Sequence, residues 1–178
     1  MIPLRVMVNI YLVGFMGAGK TSVGEHLAQR LEARFIDLDE RLQERFGCSI
    51  SEVFRDRGES AFRSAETAEI ERLSGREDLV VATGGGAFSG EINRKNIRES
   101  GGISVFLDVP WEVLERRLEE DNGSRPLYDS PLQARGLYDE RLPHYRSATL
   151  TIALTGDEAP PEIAGSIAAS VQEALCAT

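Results

Sequence analysis

Apolar and polar residues follow a repeating order along the chain. Short apolar runs that suit buried parallel strands lie at Val6–Val13, Arg34–Asp37, Leu79–Ala82, Ile103–Leu107 and Leu150–Leu154. Between them, apolar residues recur at helical spacing in Gly19–Leu31, Glu59–Leu73, Glu91–Glu99, Trp111–Glu119 and Pro161–Leu175. This alternation predicts an α/β fold in which helices cover both faces of a parallel sheet. Right-handed crossovers then bring the loops after the strands to one edge, where such sheets bind ligands.

Two stretches interrupt the alternation. The first lies within residues 38–66, where Asp39–Arg57 adds helical turns that are too long for a plain connection. The second, residues 119–131, reads EEDNGSRPLYDSP and has little apolar periodicity, which predicts a mobile loop. In a phosphotransferase such insertions form a substrate-binding flap and a lid. Because the chain has 178 residues and no low-complexity linker, we predict one domain over residues 1–178.

Composition and charge exclude several classes of partner. The net charge of −9 argues against nucleic acid and against anionic membranes, because both require a basic surface. Met1–Val13 is apolar but leads straight into a glycine-rich loop without a signal-peptide cleavage site. Cys48 and Cys176 lie far apart with no metal-ligand partners nearby, which favours a reducing compartment. We therefore predict a cytoplasmic protein with no membrane or nucleic-acid partner, and we expect a monomer.

The strongest chemical signal is a glycine-rich loop. Gly14–Thr21 reads GFMGAGKT and matches G-x-x-x-x-G-K-[ST] between an apolar strand and an amphipathic helix. Its glycines let backbone N–H groups turn toward phosphate oxygens, and the helix presents its positive N-terminus to the same anion. Lys20 can reach the β- and γ-phosphates, and the Thr21 hydroxyl can ligate Mg²⁺. The motif predicts ATP binding and phosphoryl transfer, but it leaves the acceptor open because GTPases, ATPases and kinases share it.

Two carboxylates lie at the end of the second predicted strand. Alternation along a strand would turn Asp37 and Asp39 to the same side of the sheet. One of them suits the shell of a Mg²⁺ ion, and the other can orient an acceptor hydroxyl and take its proton. The alternative is that Asp39 caps a helix over Glu40–Phe46. The neighbouring phosphate loop favours the functional interpretation.

Two further segments offer groups for an anionic substrate. Arg63 and Glu66 share a helix face, either as a surface ion pair or as an arginine that Glu66 holds for a bidentate contact with an anion. The sequence leaves both interpretations open. Gly84, Gly85 and Gly86 follow the third strand, where they let the backbone approach a ligand closely. A flexible turn is the alternative for these glycines.

Two arginines lie in or after the predicted lid. Arg125, in the sequence RPL, can close over the transferring phosphate. Arg141 offers a second anion clamp. We predict that the segment Arg141–Tyr145 follows an amphipathic helix and that Pro143 breaks this helix. For each arginine alone, a solvated surface position is the ordinary alternative.

The motifs, taken in order, resemble those of the shikimate kinase family. They are GFMGAGKTSVG at 14–24, FIDLDE at 35–40, GESAFRSAE at 58–66, ATGGGA at 82–87, RPL at 125–127 and RLPHY at 141–145. The resemblance covers nearly the whole chain. It implies a P-loop kinase three-layer α/β fold with a five-stranded parallel sheet, a substrate-binding flap and a mobile lid. It also implies that ATP phosphorylates the 3-hydroxyl of shikimate to give 3-phosphoshikimate and ADP, on the route to aromatic amino acids.

On the nucleotide side, the resemblance implies that the phosphates of ATP contact Gly17, Ala18, Gly19, Lys20, Thr21 and Ser22. Thr21 would ligate Mg²⁺, with Asp37 in the shell of the ion. Arg125 would close onto the phosphates from the lid. Arg117 is the nearest candidate for the arginine that stacks on adenine in the family. The loop at residues 155–161, TGDEAPP, departs from the family pattern because it has no arginine before its prolines.

On the acceptor side, the resemblance implies that Asp39 binds the shikimate hydroxyls and acts as the base. Lys20 and Arg125 complete the predicted catalytic residues. Arg63 and Arg141 would grip the substrate carboxylate, and Glu66 would orient Arg63. The implied substrate-binding residues are Asp39, Phe54, Phe62, Arg63, Glu66, Gly84, Gly85, Gly86 and Arg141.

Two other functions compete with this one. A gluconate- or nucleoside-monophosphate-type kinase would share the phosphate loop but lack the combination of Asp39, the triple glycine and the two carboxylate-binding arginines. A non-catalytic nucleotide-binding protein on the same scaffold would be expected to have lost Lys20, Asp39 or the lid arginine, and this sequence keeps all three.

Overall fold

The computed structural model describes residues 8–120 and 131–177 of the chain. Its centre is a sheet of five parallel strands in the order β2-β3-β1-β4-β5. The strands are β1 (Ile10–Val13), β2 (Arg34–Asp37), β3 (Leu79–Ala82), β4 (Ile103–Asp108) and β5 (Leu150–Ala153). The predicted parallel sheet is therefore confirmed, with bounds that match the apolar runs closely in the described part of the chain.

Burial explains why the strands have different sequence patterns. Every residue of the central strands β1 and β3 is buried, and both are continuous apolar runs. The edge strand β5 alternates between half-buried and exposed residues in the sequence LTIA. Strands covered on both faces need apolar side chains at every position, whereas an edge strand needs them at alternate positions only.

Seven α-helices accompany the sheet in the described residues, and they give the three-layer arrangement that the alternation predicted. They are α1 (Lys20–Leu31), α2 (Leu38–Phe46), α3 (Ile50–Ser74), α4 (Glu91–Glu99), α5 (Trp111–Glu120), α6 (Pro131–Tyr145) and α7 (Pro160–Cys176). Helix α1 packs against α7, while α3 packs against both α2 and α4. Among these described helices, none combines the length and the apolar character needed to cross a membrane.

The predicted flap consists of α2 and the first part of α3. Helix α3 starts at a capping box, in which Ser49 and Glu52 satisfy each other's backbone N–H groups. Gly58 interrupts the helical geometry of α3 with φ of +80°, a conformation that favours glycine. Helix α3 therefore begins earlier than the predicted segment Glu59–Leu73. The bend at Gly58 joins the flap part of α3 to the rest of the helix.

The prediction that Pro143 breaks the helix before it was wrong. Helix α6 continues through Pro143 to Tyr145, and the N–H of Arg146 donates to the carbonyl of Leu142 at 3.0 Å. A proline in the last turn removes few helical hydrogen bonds, so the turn can continue past it. Arg141 consequently lies inside α6 and not after it. The predicted lid, residues 119–131, falls mostly on residues 121–130, which lie outside the described residues.

Asn9 joins the start of β1 to the connection between α3 and β3. Its amide group donates to the carbonyls of Leu73 and Arg76 at 3.1 and 2.8 Å, and it accepts from the N–H of Leu79 at 3.1 Å. The side chain is only 5% exposed. One buried amide therefore satisfies three backbone groups.

Replacing Asn9 with Ala should lower the free energy of unfolding by about 2–4 kcal/mol, because buried backbone groups lose their partner and a small cavity remains. Denaturant titration measures this change. Asn96→Ala is the matched control on the partly exposed face of α4, and it should change stability by less than about 0.5 kcal/mol. Equal stabilities for the two variants would show that the Asn9 bonds are not stabilising.

Candidate active site

A cavity of about 610 Å³ opens at the edge of the sheet where β1, β2 and β3 end. A cavity of this volume suits a small-molecule ligand. Most of the residues predicted from the sequence to form the site line this one cavity: Gly17, Gly19, Lys20, Thr21, Ser22, Asp37, Asp39, Phe54, Phe62, Arg63, Glu66, Gly84, Gly85, Gly86, Arg117 and Arg141. Ala18, within the loop, is buried, and Arg125 lies outside the described residues.

The glycine-rich loop wraps around the N-terminus of α1. Gly17 and Gly19 have φ values of +81° and +88°, and Gly19 directly precedes the first helical residue. These left-handed conformations are available to glycine at little cost, which explains the glycines at these positions. The ammonium group of Lys20 donates to the carbonyls of Gly14 and Phe15, both at 2.9 Å. The loop is thus held in a compact form with its lysine inside the cavity wall.

Asp37, the last residue of β2, and Asp39 reach the cavity by a different route from the one predicted. Strand β2 ends at Asp37 and α2 begins at Leu38, so Asp39 lies in the first turn of a helix and not on a strand. The capping residue is Asp37, whose Oδ1 accepts from the N–H groups of Asp39 and Glu40 at 3.0 and 3.2 Å. The predicted alternation was wrong, and both carboxylates still line the cavity because the helix starts at its rim.

The oxygen donors near the phosphate loop fit Mg²⁺. The Thr21 hydroxyl donates to Oδ2 of Asp37 at 2.7 Å, so a hydroxyl and a carboxylate meet beside Lys20. Mg²⁺ commonly uses one or two protein oxygens and takes its other ligands from phosphates and water. Within residues 8–120 and 131–177, no group of three or more His, Cys, Asp or Glu side chains could hold a metal by itself. The Thr21 hydroxyl and the Asp37 carboxylate therefore suit an ion that takes most of its ligands from a nucleotide and water.

Arg63 is held by two glutamates on its own helix. Its guanidinium donates to Glu66 at 2.9 Å and to Glu59 at 3.1 and 3.2 Å. Glu66 is fully buried, whereas Glu59 is mostly exposed. The sequence left open whether Arg63 and Glu66 form a surface pair, and the burial of Glu66 together with the cavity position of both residues excludes that interpretation.

Burial also sets the charge state of Glu66. Removal from water raises the pKa of Glu66 to about 7, and the nearby Asp39 carboxylate acts in the same direction. Arg63 and Arg141 oppose this rise. The second carboxyl oxygen, Oε1, is buried and has no hydrogen-bond partner among the described residues. A carboxylate in that setting is costly to ionise, so Glu66 takes up a proton more readily than a solvated glutamate.

The raised pKa of Glu66 predicts a pH dependence of stability. Because its pKa in the folded state lies above the ordinary value of 4.5, the folded protein binds more protons between about pH 4.5 and 7. This contribution is complete below that window and is lost as pH rises through it. Relative to Glu66→Gln, which cannot titrate, the wild-type free energy of unfolding should fall by on the order of 2 kcal/mol between pH 5 and 8. Denaturant titration at four pH values tests this. A constant difference between the two proteins would contradict it.

The three glycines after β3 leave room for charged side chains. A Cβ atom on Gly84 would lie 2.8 Å from Oδ1 of Asp39, and one on Gly86 would lie 2.7 Å from the guanidinium carbon of Arg63. These distances are shorter than side chains allow. A side chain at Gly84 would therefore displace Asp39, and one at Gly86 would displace Arg63.

Tyr145 contacts the same glycine segment through a hydrogen bond to Gly85. It is fully buried, stacks on Phe106 with ring centroids 5.3 Å apart, and its hydroxyl donates to the carbonyl of Gly85. Burial raises the pKa of Tyr145 to about 12, so the phenol remains a donor at all physiological pH values. Arg141 lies one turn earlier on α6, and its guanidinium lies 3.5 Å from where a Cβ of Gly85 would be. Helix α6 thus fixes both the second arginine and the glycine backbone.

An apolar wall lies on the flap side of the cavity. Phe54 and Phe62 contact each other with ring centroids 5.1 Å apart, and Arg63 lies over the ring of Phe62 at 5.2 Å. Ile50, from the first turn of α3, adds to this wall. Ile50, Phe54 and Phe62 therefore form the apolar part of the cavity lining, while Asp39, Arg63 and Arg141 supply charged groups.

Arg117 joins two loops on the nucleotide side. Its guanidinium donates to the carbonyl of Gly17 at 3.0 Å and to the carbonyl of Gly156 at 3.1 Å. Gly17 belongs to the phosphate loop, and Gly156 lies in the loop after β5. Arg117, the candidate for the arginine that stacks on adenine in the family, thus lies between these two loops.

Sequence reasoning missed several residues of the site. Met16, Ile50, Thr83 and Glu120 line the cavity, and Tyr145 supports its glycine segment. Thr83 extends β3 by donating from both its N–H and its hydroxyl to the carbonyl of Leu12. Tyr145 closes the motif RLPHY, which was the available signal. Met16 and Thr83 lie within the motifs at 14–24 and 82–87, whereas Ile50 and Glu120 belong to none of the six motifs.

The fold and the cavity together define a P-loop kinase: a parallel sheet, a glycine-rich loop at the start of the first helix, and a small-molecule cavity between that loop and a flap. Comparison with known proteins narrows this class. The family model "Shikimate kinase" matches residues 16–172, and the chain belongs to that family.

Individual relatives agree with this assignment. A shikimate kinase from Sulfurihydrogenibium sp. is 42% identical over 147 residues, which cover 82% of this chain and 87% of the relative. One from Aquifex aeolicus is 38% identical over 165 residues, with coverage of 92% and 96%. The solved structure of a shikimate kinase from Acinetobacter baumannii in complex with shikimate has a TM-score of 0.88 at 38% identity, with 95% of each chain covered.

Proposed function

We propose that the protein transfers the γ-phosphoryl group of ATP to the 3-hydroxyl of shikimate, giving 3-phosphoshikimate and ADP on the route to aromatic amino acids. One observation carries the choice of acceptor: a single cavity joins the phosphate loop to one carboxylate, Asp39, and to two arginines, Arg63 and Arg141. Shikimate is a carboxylate that bears hydroxyl groups, so it needs cations at one end and a hydrogen-bond acceptor at the other.

The phosphate loop positions the nucleotide in this proposal. Backbone N–H groups of Gly17, Gly19 and the first turn of α1 bind the phosphates, and Lys20 turns from its carbonyl partners toward the β- and γ-phosphates. Thr21 and Asp37 would hold the Mg²⁺ that accompanies ATP, and the bound ion would neutralise part of the phosphate charge.

Asp39 and the arginines position the acceptor. Arg63 and Arg141 pair with the substrate carboxylate, while the flap phenylalanines cover the ring. The 3-hydroxyl oxygen forms a bond to the γ-phosphorus as the bond from that phosphorus to the β–γ bridging oxygen breaks. Asp39 accepts the hydroxyl proton, and ADP leaves with the bridging oxygen. Arg125 is proposed to approach the transferring group from the lid.

A coupled assay of ADP release tests the proposal directly. Purified protein with Mg-ATP should release ADP in the presence of shikimate, and quinate, gluconate and nucleoside monophosphates should support release at least 100-fold less efficiently. Normal ATP binding without shikimate-dependent release would refute the proposed acceptor. Faster release with gluconate or a nucleoside monophosphate would favour the competing kinase function.

The proposal includes a monomeric enzyme in the cytoplasm, where ATP is available. Light scattering after size-exclusion chromatography measures the mass directly. A dimer at micromolar concentration would contradict the monomer.

A further inference from the structure

The turn between β5 and α7 is organised by one carboxylate. Glu158 accepts from the N–H groups of Thr155 and Gly156, both at 2.9 Å, and from the Thr155 hydroxyl at 3.0 Å. These donors favour the ionised form, and the N–H of Thr155 contributes most to a pKa of about 2 for Glu158. The turn is exposed, yet its backbone is tied to an ionised side chain at all physiological pH values.

The carboxylate of Glu158 is not needed to start the following helix. Helix α7 begins at Pro160, and Glu162 accepts from the N–H of Ala159 at 2.8 Å. That contact already caps the helix in the manner of a capping box. The bonds of Glu158 therefore fix the shape of the turn itself.

The turn rests directly on helix α5. Gly156 has φ of +99°, and a Cβ atom there would lie 2.7 Å from a methyl carbon of Val113. Neither the backbone conformation nor the available space tolerates a side chain. Gly156 thus lets the backbone of the turn contact α5, one helical turn before Arg117.

Arg117 continues this connection to the phosphate loop. One guanidinium nitrogen donates to the carbonyl of Gly156, and the other donates to the carbonyl of Gly17. The planar guanidinium presents its donors in a fixed geometry, so the two carbonyls restrict its orientation. A continuous set of contacts therefore runs from Glu158 through Gly156 and Arg117 to the phosphate loop.

We infer that Glu158 is a positioning residue for the nucleotide: its carboxylate fixes the turn, the turn fixes Arg117, and Arg117 holds the wall of the nucleotide site in place before ATP binds. This inference rests on the proposed use of ATP. Without Glu158, the turn and Arg117 must be ordered when the nucleotide binds, which weakens binding without changing the chemical step. The acceptor side of the cavity does not depend on this turn.

The test compares Glu158→Gln with Asp157→Asn, which removes the same charge from the adjacent exposed residue. Glu158→Gln replaces one acceptor oxygen with an NH₂ group that faces backbone donors. We expect its Kd for ATP, measured by calorimetry without any acceptor, to rise about 5- to 20-fold. Asp157→Asn should stay within about 2-fold of the wild type. The kcat and the KM for shikimate should be unchanged in both variants. Equal Kd values for the two variants, or a parallel rise in the KM for shikimate, would overturn the inference.

A double-mutant cycle tests whether Glu158 acts through Arg117. If it does, adding Glu158→Gln to Arg117→Ala should weaken ATP binding no further than Arg117→Ala alone. Multiplicative effects would show that the two residues act separately and would overturn the inference. Calorimetry with ATP alone also separates this outcome from the proposed function. The expected Kd pattern without shikimate turnover would refute the acceptor and leave the positioning role supported.

Discussion

Replacing Asp39 with Asn should lower kcat for shikimate phosphorylation by about 10²- to 10⁴-fold, with little change in the Kd for ATP. Asp39 lies in the first turn of α2 and lines the cavity between the phosphate loop and Gly84. An amide keeps the shape of the side chain and one acceptor oxygen, but it cannot take the proton of the acceptor hydroxyl. Loss of a positioned general base accounts for a decrease of this size.

The matched control for this substitution is Glu40→Gln. Glu40 is the next residue in the same helical turn, it is exposed, and its backbone N–H also donates to Asp37. It should retain a kcat within about 2-fold of the wild type, because its side chain does not line the cavity. Steady-state kinetics with saturating Mg-ATP provide the comparison. A kcat for Asp39→Asn within 3-fold of the wild type would mean that Asp39 is not the base, and a rise confined to the KM for shikimate would assign it to binding alone.

Local sequence determined the framework of this fold for clear physical reasons. The buried strands β1 and β3 are continuous apolar runs. Strands β2 and β3 have the same bounds as the segments Arg34–Asp37 and Leu79–Ala82 that the pattern predicted. The phosphate loop was predictable because its glycines and Lys20 act through their own backbone and the helix that follows. Where sequence neighbours determine a residue's environment, the order of apolar, polar and glycine residues was sufficient to predict the local structure.

The features that the sequence did not predict depend on contacts between distant segments. The hydroxyl of Tyr145 donates to Gly85, sixty residues away, and Arg117 joins Gly17 to Gly156. Helix α6 continues past Pro143 although a proline is a local signal to stop. No periodicity records such contacts, because each depends on how α5, α6 and the loops meet in three dimensions. The correct grouping of Asp39 with the arginines came from the family resemblance and not from spacing.

Arg63 offers the most specific test of the substrate class. Its guanidinium is already directed by Glu59 and Glu66, and Gly86 leaves it the space it occupies. Replacing Arg63 with Ala should raise the KM for shikimate about 100-fold or more, because the substrate carboxylate loses a charge-assisted partner. The KM for ATP should stay within about 3-fold. Arg55→Ala, on the exposed face of the same helix, removes an equal charge and should change neither constant appreciably.

Shikimate methyl ester shows whether the effect of Arg63 acts through the carboxylate. The wild type should discriminate strongly against the ester, since a neutral ester cannot form the charge-assisted pair. Arg63→Ala should lose most of that discrimination, so that the acid and the ester have KM values within about 5-fold of each other. This coupling between one side chain and one substrate group follows the logic of a double-mutant cycle. If Arg63→Ala instead raised KM equally for the acid and the ester, Arg63 would be shaping the flap, and Arg141 would remain as the carboxylate-binding cation of the cavity.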